Sequence, residues 1–101
     1  MKPFTENVMR IIKQIPPGQV MTYGQIARLA GSPRGARQVV RVLHSMSKKY
    51  NLPWFRVINS KGEISLTDKE TRAAQAIFLE EEGIEVANGL VDLKKYQYHP
   101  E

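Results

Sequence analysis

Hydrophobic residues recur at helical spacing from the start of the chain. Phe4, Val8, Ile11, Ile12 and Ile15 share one face, and Pro16-Pro17-Gly18 ends the run. Thr22-Tyr23-Gly24-Gln25 then forms a capping-box pattern, in which the Thr22 hydroxyl and the Gln25 side chain each accept from the other residue's backbone N–H. Ile26, Ala27, Leu29 and Ala30 supply the buried face of that helix and Gly31 its end. Ser32-Pro33 predicts an immediate restart, with serine as N-cap and proline at the first helical position. Two short helices joined by a Gly-Ser turn predict a helix-turn-helix.

The second of these helices is expected over roughly 33–46. At about 100° per residue, Arg34, Arg37, Arg41, His44 and Lys48 fall on one side, and Ala36, Val39, Val42, Leu43 and Met46 on the other. Such a helix can pack on the body of the protein while offering arginines to phosphate. Further on, Val57 and Ile58 read as a strand, 59–62 as a turn and Ile64 as part of a returning strand, a small β-wing. Thr67-Asp68-Lys69-Glu70 predicts a second capping box, opening a helix through Ala74, Ile77, Phe78 and Leu79 to Gly83. Segments 84–86 and 90–93 on either side of Asn88-Gly89 predict a terminal β-hairpin, with Tyr96 and Tyr98 packing back on the body. The expected fold is α+β and mainly helical: a winged helix-turn-helix with a small β-wing and a C-terminal β-hairpin, one domain over residues 1–101.

Charge sharpens this picture. The net charge is +5, yet no acidic residue occurs from position 7 through 62, where ten lysines and arginines fall. The rest of the chain sets five basic residues against ten acidic ones. A segregated positive half suits a polyanion, and nucleic acid is favoured over a merely solvated basic surface. The acidic run Glu80-Glu81-Glu82 lies outside the basic half and reads as helix surface turned away from DNA. The absence of cysteine excludes disulfides and thiolate metal sites, and His44 and His99 lack metal-ligand spacing, so neither metal nor cofactor is expected. No apolar run reaches the ~18 residues of a membrane span, and the opening residues lack the apolar core of a signal peptide. A cytoplasmic, monomeric protein is expected, nucleoid-associated if bacterial.

Pro53-Trp54-Phe55-Arg56-Val57 carries the most specific signal. It resembles the Pro-Cys-His-Arg-Val active-site motif of O6-alkylguanine-DNA alkyltransferases, with Trp54 at the cysteine position and Phe55 at that of the activating histidine. Three other segments are similar to that family's motifs, in the family's order: Ile15 through Ala27 with its Thr22-Tyr23, Ala30 through Arg37 with its Ala36-Arg37, and Glu81-Glu82-Gly83-Ile84. The resemblance covers about residues 4–86 and points to alkyltransferase-like proteins, which keep a lesion pocket without the transfer chemistry. An indole cannot replace a low-pKa thiolate as nucleophile.

The resemblance implies roles residue by residue. Tyr23 would press on the phosphate 3′ of the lesion and rotate the nucleotide out. Arg37 would enter the minor groove and fill the vacated stack, as a planar cation that both stacks and hydrogen-bonds. Gly35 and Ala36 would let the helix approach the groove closely, and Ser32, Arg41 and Ser60 would contact phosphate, with Arg34 of the basic helix face a further DNA-binding residue. A lone tryptophan is ordinarily a core residue, but at the nucleophile position Trp54 would form an apolar pocket wall, with Val57 lining the same pocket. Arg56 would brace the loop. Without a histidine at position 55, a histidine–water–glutamate relay to Glu82 is impossible, leaving Glu82 a structural helix-end residue. Lys69 and Arg72 are only near the place where some relatives set a cation on the guanine.

The implied function is non-enzymatic: binding O6-alkylguanine in double-stranded DNA by nucleotide flipping and flagging it for nucleotide excision repair proteins. A sequence-specific winged helix-turn-helix regulator is the alternative, explaining the charge and the turn but not 53–57. A transferase with another nucleophile lacks any thiol, Ser-His or Lys pair to perform it.

Overall fold

The helical periodicity of the first half is realised as α1 (Pro3–Lys13), α2 (Tyr23–Leu29) and α3 (Ala36–Tyr50) in a computed structural model that describes residues 1–101. The capping box closes as expected: the Thr22 hydroxyl accepts from the Gln25 N–H at 3.1 Å, and Gln25 Oε1 accepts from the Thr22 N–H at 3.2 Å. Val8, Ile12, Ile26, Ala27 and Val39 are fully buried where the three helices meet. Each large aliphatic side chain removed from water contributes about 2 kcal/mol. That burial pins one face of α3, while Arg34, Arg37, Arg41, His44 and Lys48 stay exposed.

β1 (Met21–Thr22) and β2 (Val57–Ile58) pair in parallel, with Met21 opposite Val57 and Thr22 opposite Ile58. Successive residues of a strand point to opposite faces. Met21 and Val57 therefore enter the helical core, whereas Val20 and Ile58 enter a second core completed by Leu79, Ile84 and Val91. The sheet is a partition between two cores. Leu79 comes from α4 (Lys69–Glu81), and the chain closes with α5 (Leu93–Tyr96). The tail straps back, Tyr98 N–H donating to Val20 O at 2.8 Å and Gln25 Nε2 to Tyr98 O at 2.7 Å. No helix is long and apolar enough to cross a membrane.

Several expectations need correction. Ser32 and Pro33 do not begin α3: Ser32 makes no cap hydrogen bond, Gly35 N–H donates to Ser32 O at 2.8 Å to close a turn, and the helix starts at Ala36. It runs to Tyr50, past the expected end near 46, until Asn51 takes a left-handed conformation with φ 53°. The cap of α4 is Asp68, one residue after Thr67, accepting from the Thr71 N–H at 3.0 Å. The wing strand and the terminal hairpin are reduced to isolated bridges, Glu63 with Leu90 and Ala87 with Leu90. Asn59 is one cause, since its Oδ1 accepts from the N–H groups of Lys61 and Glu63 and bends the chain away from β2. Gly62 is another: at φ +75° it passes so close to Val91 that a Cβ would lie 2.3 Å from that carbonyl oxygen.

One polar clasp ties the halves together. Arg56 Nε donates to both carboxylate oxygens of Glu82, at 2.9 and 3.1 Å, its Nη2 also donates to Glu82 Oε2, and its Nη1 donates to Ile15 O at 3.1 Å. Glu82 Oε1 accepts from the Gly18 N–H at 3.1 Å. Both side chains of the pair are 15% exposed. Gln75, buried on α4, donates through Nε2 to the carbonyls of Phe55 at 3.1 Å and Val57 at 3.0 Å. The backbone of 55–57 is thereby held from both sides.

Hydrogen bonds from the Arg56 side chain hold the Glu82 carboxyl below its usual range, with the Gly18 N–H adding to the effect and desolvation opposing it. A depressed folded-state pKa gives stabilisation present above the unfolded value, about 4.3 for glutamate, and lost as pH falls through the lower folded value. Glu82→Gln should therefore lose about 2 kcal/mol of unfolding free energy at pH 7. In denaturant titrations its deficit against the parent should shrink toward pH 3. A deficit constant over that range would show that the carboxylate charge is not its source.

Candidate functional site

The braced turn at Trp54–Arg56, a short 3-10 helix, aims two aromatic rings at α3. Between them lies a cleft of about 670 Å³, lined on the α3 side by Val40, Leu43, His44, Ser47, Lys48 and Asn51. Trp54, Phe55, Leu66, Thr71 and Phe78 line the facing side, and Tyr23 and Leu52 complete it. The volume lies within the range of small-ligand sites.

The aromatic wall is packed edge to face. Trp54 meets Phe55 at 6.0 Å between centroids and an interplanar angle of 90°, and Phe78 at 6.2 Å and 79°. Phe55 and Phe78 lie 5.2 Å apart. The Arg56 guanidinium stands 5.2 Å from the Phe55 centroid, so the clasp that holds the turn also backs the wall. Glu82 is fully engaged by Arg56 and Gly18 and carries no proton relay to position 55.

Tyr23 is the first residue of α2, half-buried and set at the cleft by the Thr22 cap. Burial raises its pKa above the ordinary tyrosine value. The phenol is thus neutral across the physiological range and can donate a hydrogen bond to an anion without charge repulsion. Arg37 is the second residue of α3, exposed in its first turn, and Arg41 lies one turn on. Arg34 is exposed in the preceding turn, where Ser32 is half-buried. The three ion pairs of the molecule involve Arg28, Arg56 and His99, leaving Arg34, Arg37 and Arg41 without a carboxylate partner. Ser60 is exposed in the turn after β2, outside the cleft.

Two predicted site residues are placed differently. Val57 does not line the cleft: it is fully buried, because β2 begins there and its side chain enters the helical core opposite Met21. Gly35 is buried, and a Cβ on it would come within 3.0 Å of Ser32 Oγ and 3.1 Å of Phe4 Cζ. Its small size is favoured by tight packing within the chain, whatever approaches from outside. Ala36 is half-buried at the start of α3. Neither Lys69 nor Arg72 lines the cleft. Arg72 instead donates to the carbonyls of Leu66 at 2.7 Å and Thr67 at 3.0 Å, bracing the loop that carries Leu66.

The sequence reading missed half of the cleft. Val40, His44, Lys48 and Asn51 follow each other at steps of four, four and three residues, a signal present in the pattern, but only His44 and Lys48 of them belong to the basic stripe. Phe78, 39% exposed, looked like part of a core face. Nothing local marks Gln75 as the residue that holds 55–57, since its partners are backbone carbonyls eighteen and twenty positions away.

Residues 3–84 match the family model described as the DNA binding domain of 6-O-methylguanine DNA methyltransferase. A DNA base-flipping protein of Vibrio parahaemolyticus is 46% identical over 101 residues, covering 99% of this chain and all of that protein. Alkyltransferase-like protein 1 of Schizosaccharomyces pombe is 42% identical over 87 residues, 85% of this chain and 81% of that one. A crystal structure of S. pombe Atl1 in complex with damaged DNA containing O6-carboxymethylguanine superposes with a TM-score of 0.89 at 38% identity, covering 99% of this chain and 98% of that one.

The aromatic wall makes a direct prediction. Phe78→Ala removes one edge contact from Trp54 and the partner ring of Phe55. It should lower stability by about 1–2 kcal/mol and shift Trp54 emission to longer wavelength as the indole gains water. Unchanged emission would show that Phe78 does not shield the indole.

Proposed function

The chain belongs to the family of the 6-O-methylguanine DNA methyltransferase DNA-binding domain, and on that premise we propose that it binds O6-alkylguanine in duplex DNA without removing the alkyl group. Residues 1–101 act as one DNA-binding unit, docking α2 and α3 as a helix-turn-helix on the minor groove. Tyr23 turns the damaged nucleotide out, Arg37 takes its place in the stack, and the base enters the cleft beside Trp54. The bound complex marks the lesion for nucleotide excision repair.

The observation that carries this reading is the juxtaposition of an apolar cleft walled by Trp54, Phe55 and Phe78 with a row of arginines that have no partner in the chain. The names of the relatives support it: one is called a base-flipping protein, and Atl1 has been crystallised on DNA carrying an O6-alkylated guanine. No thiol exists to accept an alkyl group. Trp54 offers no nucleophile, Phe55 no base, and Glu82 is spent on Arg56.

Flipping an intact nucleotide costs a few kcal/mol, and less where pairing is already weakened by alkylation. Added apolar contact with the alkyl group brings the total preference for O6-methylguanine over guanine to about 1–3 kcal/mol. The arginines supply affinity independent of the lesion. If the three of them meet phosphate, log K should fall with log salt at a slope of about −3 or steeper. Titration of one duplex containing guanine or O6-methylguanine, followed by Trp54 fluorescence at two salt concentrations, tests both terms. Salt-insensitive binding would remove the basic row from the interface. Selectivity for a base sequence with indifference to the lesion would instead favour a transcriptional regulator.

Mass spectrometry after incubation with methylated DNA should find no protein adduct of about 14 Da. Trp54→Cys alone should also transfer little, because Phe55 leaves the new thiol without an activating base. Efficient dealkylation by that variant would overturn the argument from Phe55.

A further inference from the structure

We propose that the cleft prefers O6-carboxyalkyl substituents to neutral alkyl groups of the same shape, with Lys48 and His44 of α3 reading the anionic end. The inference rests on the proposed function and names the class of lesion that the cleft fits best.

The cleft has two chemically different sides. One is aromatic, formed by Trp54, Phe55 and Phe78. The other is the last two turns of α3. There His44, Lys48 and Asn51 stand four and three residues apart, so they share one face of the helix.

Tyr23, the first residue of α2, is assigned to the DNA by the proposed function, and the other two polar residues of the cleft have already used their donors. The Ser47 hydroxyl donates to Leu43 O, and the Thr71 hydroxyl donates to Asp68. His44, Lys48 and Asn51 make no side-chain hydrogen bond that would satisfy them, and no carboxylate lines the cleft. Asp68, next to Thr71 in space, holds both Thr71 donors and forms no ion pair with Lys48. The carbonyl end of α3 disfavours an anion in its last turn. That opposition is reduced at Ser47, whose carbonyl already accepts from the N–H groups of Asn51 and Leu52.

A methyl group would touch only the aromatic side and leave the donors facing water. A substituent with one methylene and a terminal carboxylate uses both sides: the methylene rests on the rings and the carboxylate accepts from Lys48. A charge-assisted bond to an unpaired ammonium at the edge of a low-dielectric wall is stronger than a neutral one. Lys48 is thereby a specificity-determining residue, and His44 one turn away supports it through its ring N–H.

The test compares duplexes carrying O6-carboxymethylguanine and its neutral amide, O6-carbamoylmethylguanine, with O6-methylguanine and guanine as references. Binding is read by fluorescence anisotropy. The parent protein should favour the acid over the amide by about fivefold or more. Lys48→Met should bring that ratio to near one, and Lys48→Arg should retain it. A parent ratio near one overturns the inference. So does a Lys48→Met variant that weakens acid and amide duplexes equally, which would assign Lys48 to the DNA backbone. Preference for O6-methylguanine over guanine alongside a ratio near one sinks this inference alone. Indifference to every O6-alkylated base would sink the proposed function with it.

Discussion

The ion pair between Arg56 and Glu82 is the constraint on which the site depends. Arg56 belongs to the same short turn as Trp54 and Phe55, so whatever fixes its guanidinium also fixes those rings. The pair draws on three places: Arg56 donates to Ile15 just past α1 and to Glu82 at the end of α4, and Glu82 in turn accepts from the Gly18 N–H. Desolvating two charges is unfavourable, and only dense hydrogen bonding of the kind seen here offsets it. The return is positional. A hydrophobic substitute could stabilise these contacts as well, but it could not aim the turn from three directions at once.

The two-stranded sheet completes that positioning. With only two residues in each strand, β1 and β2 contribute little hydrogen-bond energy, yet their alternation sends Met21 and Val57 into one core and Val20 and Ile58 into the other. Tyr23 follows β1 directly and Trp54 to Arg56 precede β2. The residue at the helix entrance and the residues of the aromatic wall are therefore set by the ends of one ladder, and rotating either strand would empty a core. Under the proposed function this frame allows chemistry to be lost without loss of the pocket. Substitutions at 54 and 55 alter what projects into the cleft, while the clasp, Gln75 and Val57 hold the backbone behind it.

Much of the helical half was legible because its signals are local. The Thr22–Gln25 box, the buried face of α3 and the exposed basic stripe each depend on residues within one or two turns of each other, where periodicity and capping dominate. The errors fall where a distant partner decides. Segment 63–65 has the composition of a returning strand, but β2 is already paired with Met21–Thr22, and Asn59 turns the chain toward Leu90. α3 starts at Ala36 because the Gly35 N–H closes a turn onto Ser32 O, and Phe4, thirty-one residues upstream, sits close to that turn. The motif neighbours of Val57 suggest a place in the pocket, whereas β2 begins at that residue and its side chain is buried in the helical core. Motif order located the site; only tertiary pairing shows which of its residues face the cleft.

Under the proposed function, affinity and selectivity fall on separate surfaces of this chain. The exposed arginines lie at the N-terminal end of α3 and in the turn before it, whereas the cleft opens along the C-terminal half of the same helix. At 1.5 Å per residue, Arg37 and Lys48 are about 16 Å apart along the axis, roughly twice the Debye length in physiological salt. The charges proposed to hold DNA are thus largely screened from the charge that faces the cleft, and one helix can serve both without coupling them electrostatically. What connects the two ends is mechanical. Val39, Val42 and Leu43 anchor α3 along its length, so its position on the groove would set where the mouth of the cleft meets an extruded base. Non-specific attraction, which every duplex would share, needs no rearrangement of the cleft. Discrimination can then depend on what the aromatic wall and the donors of α3 find once the base has arrived.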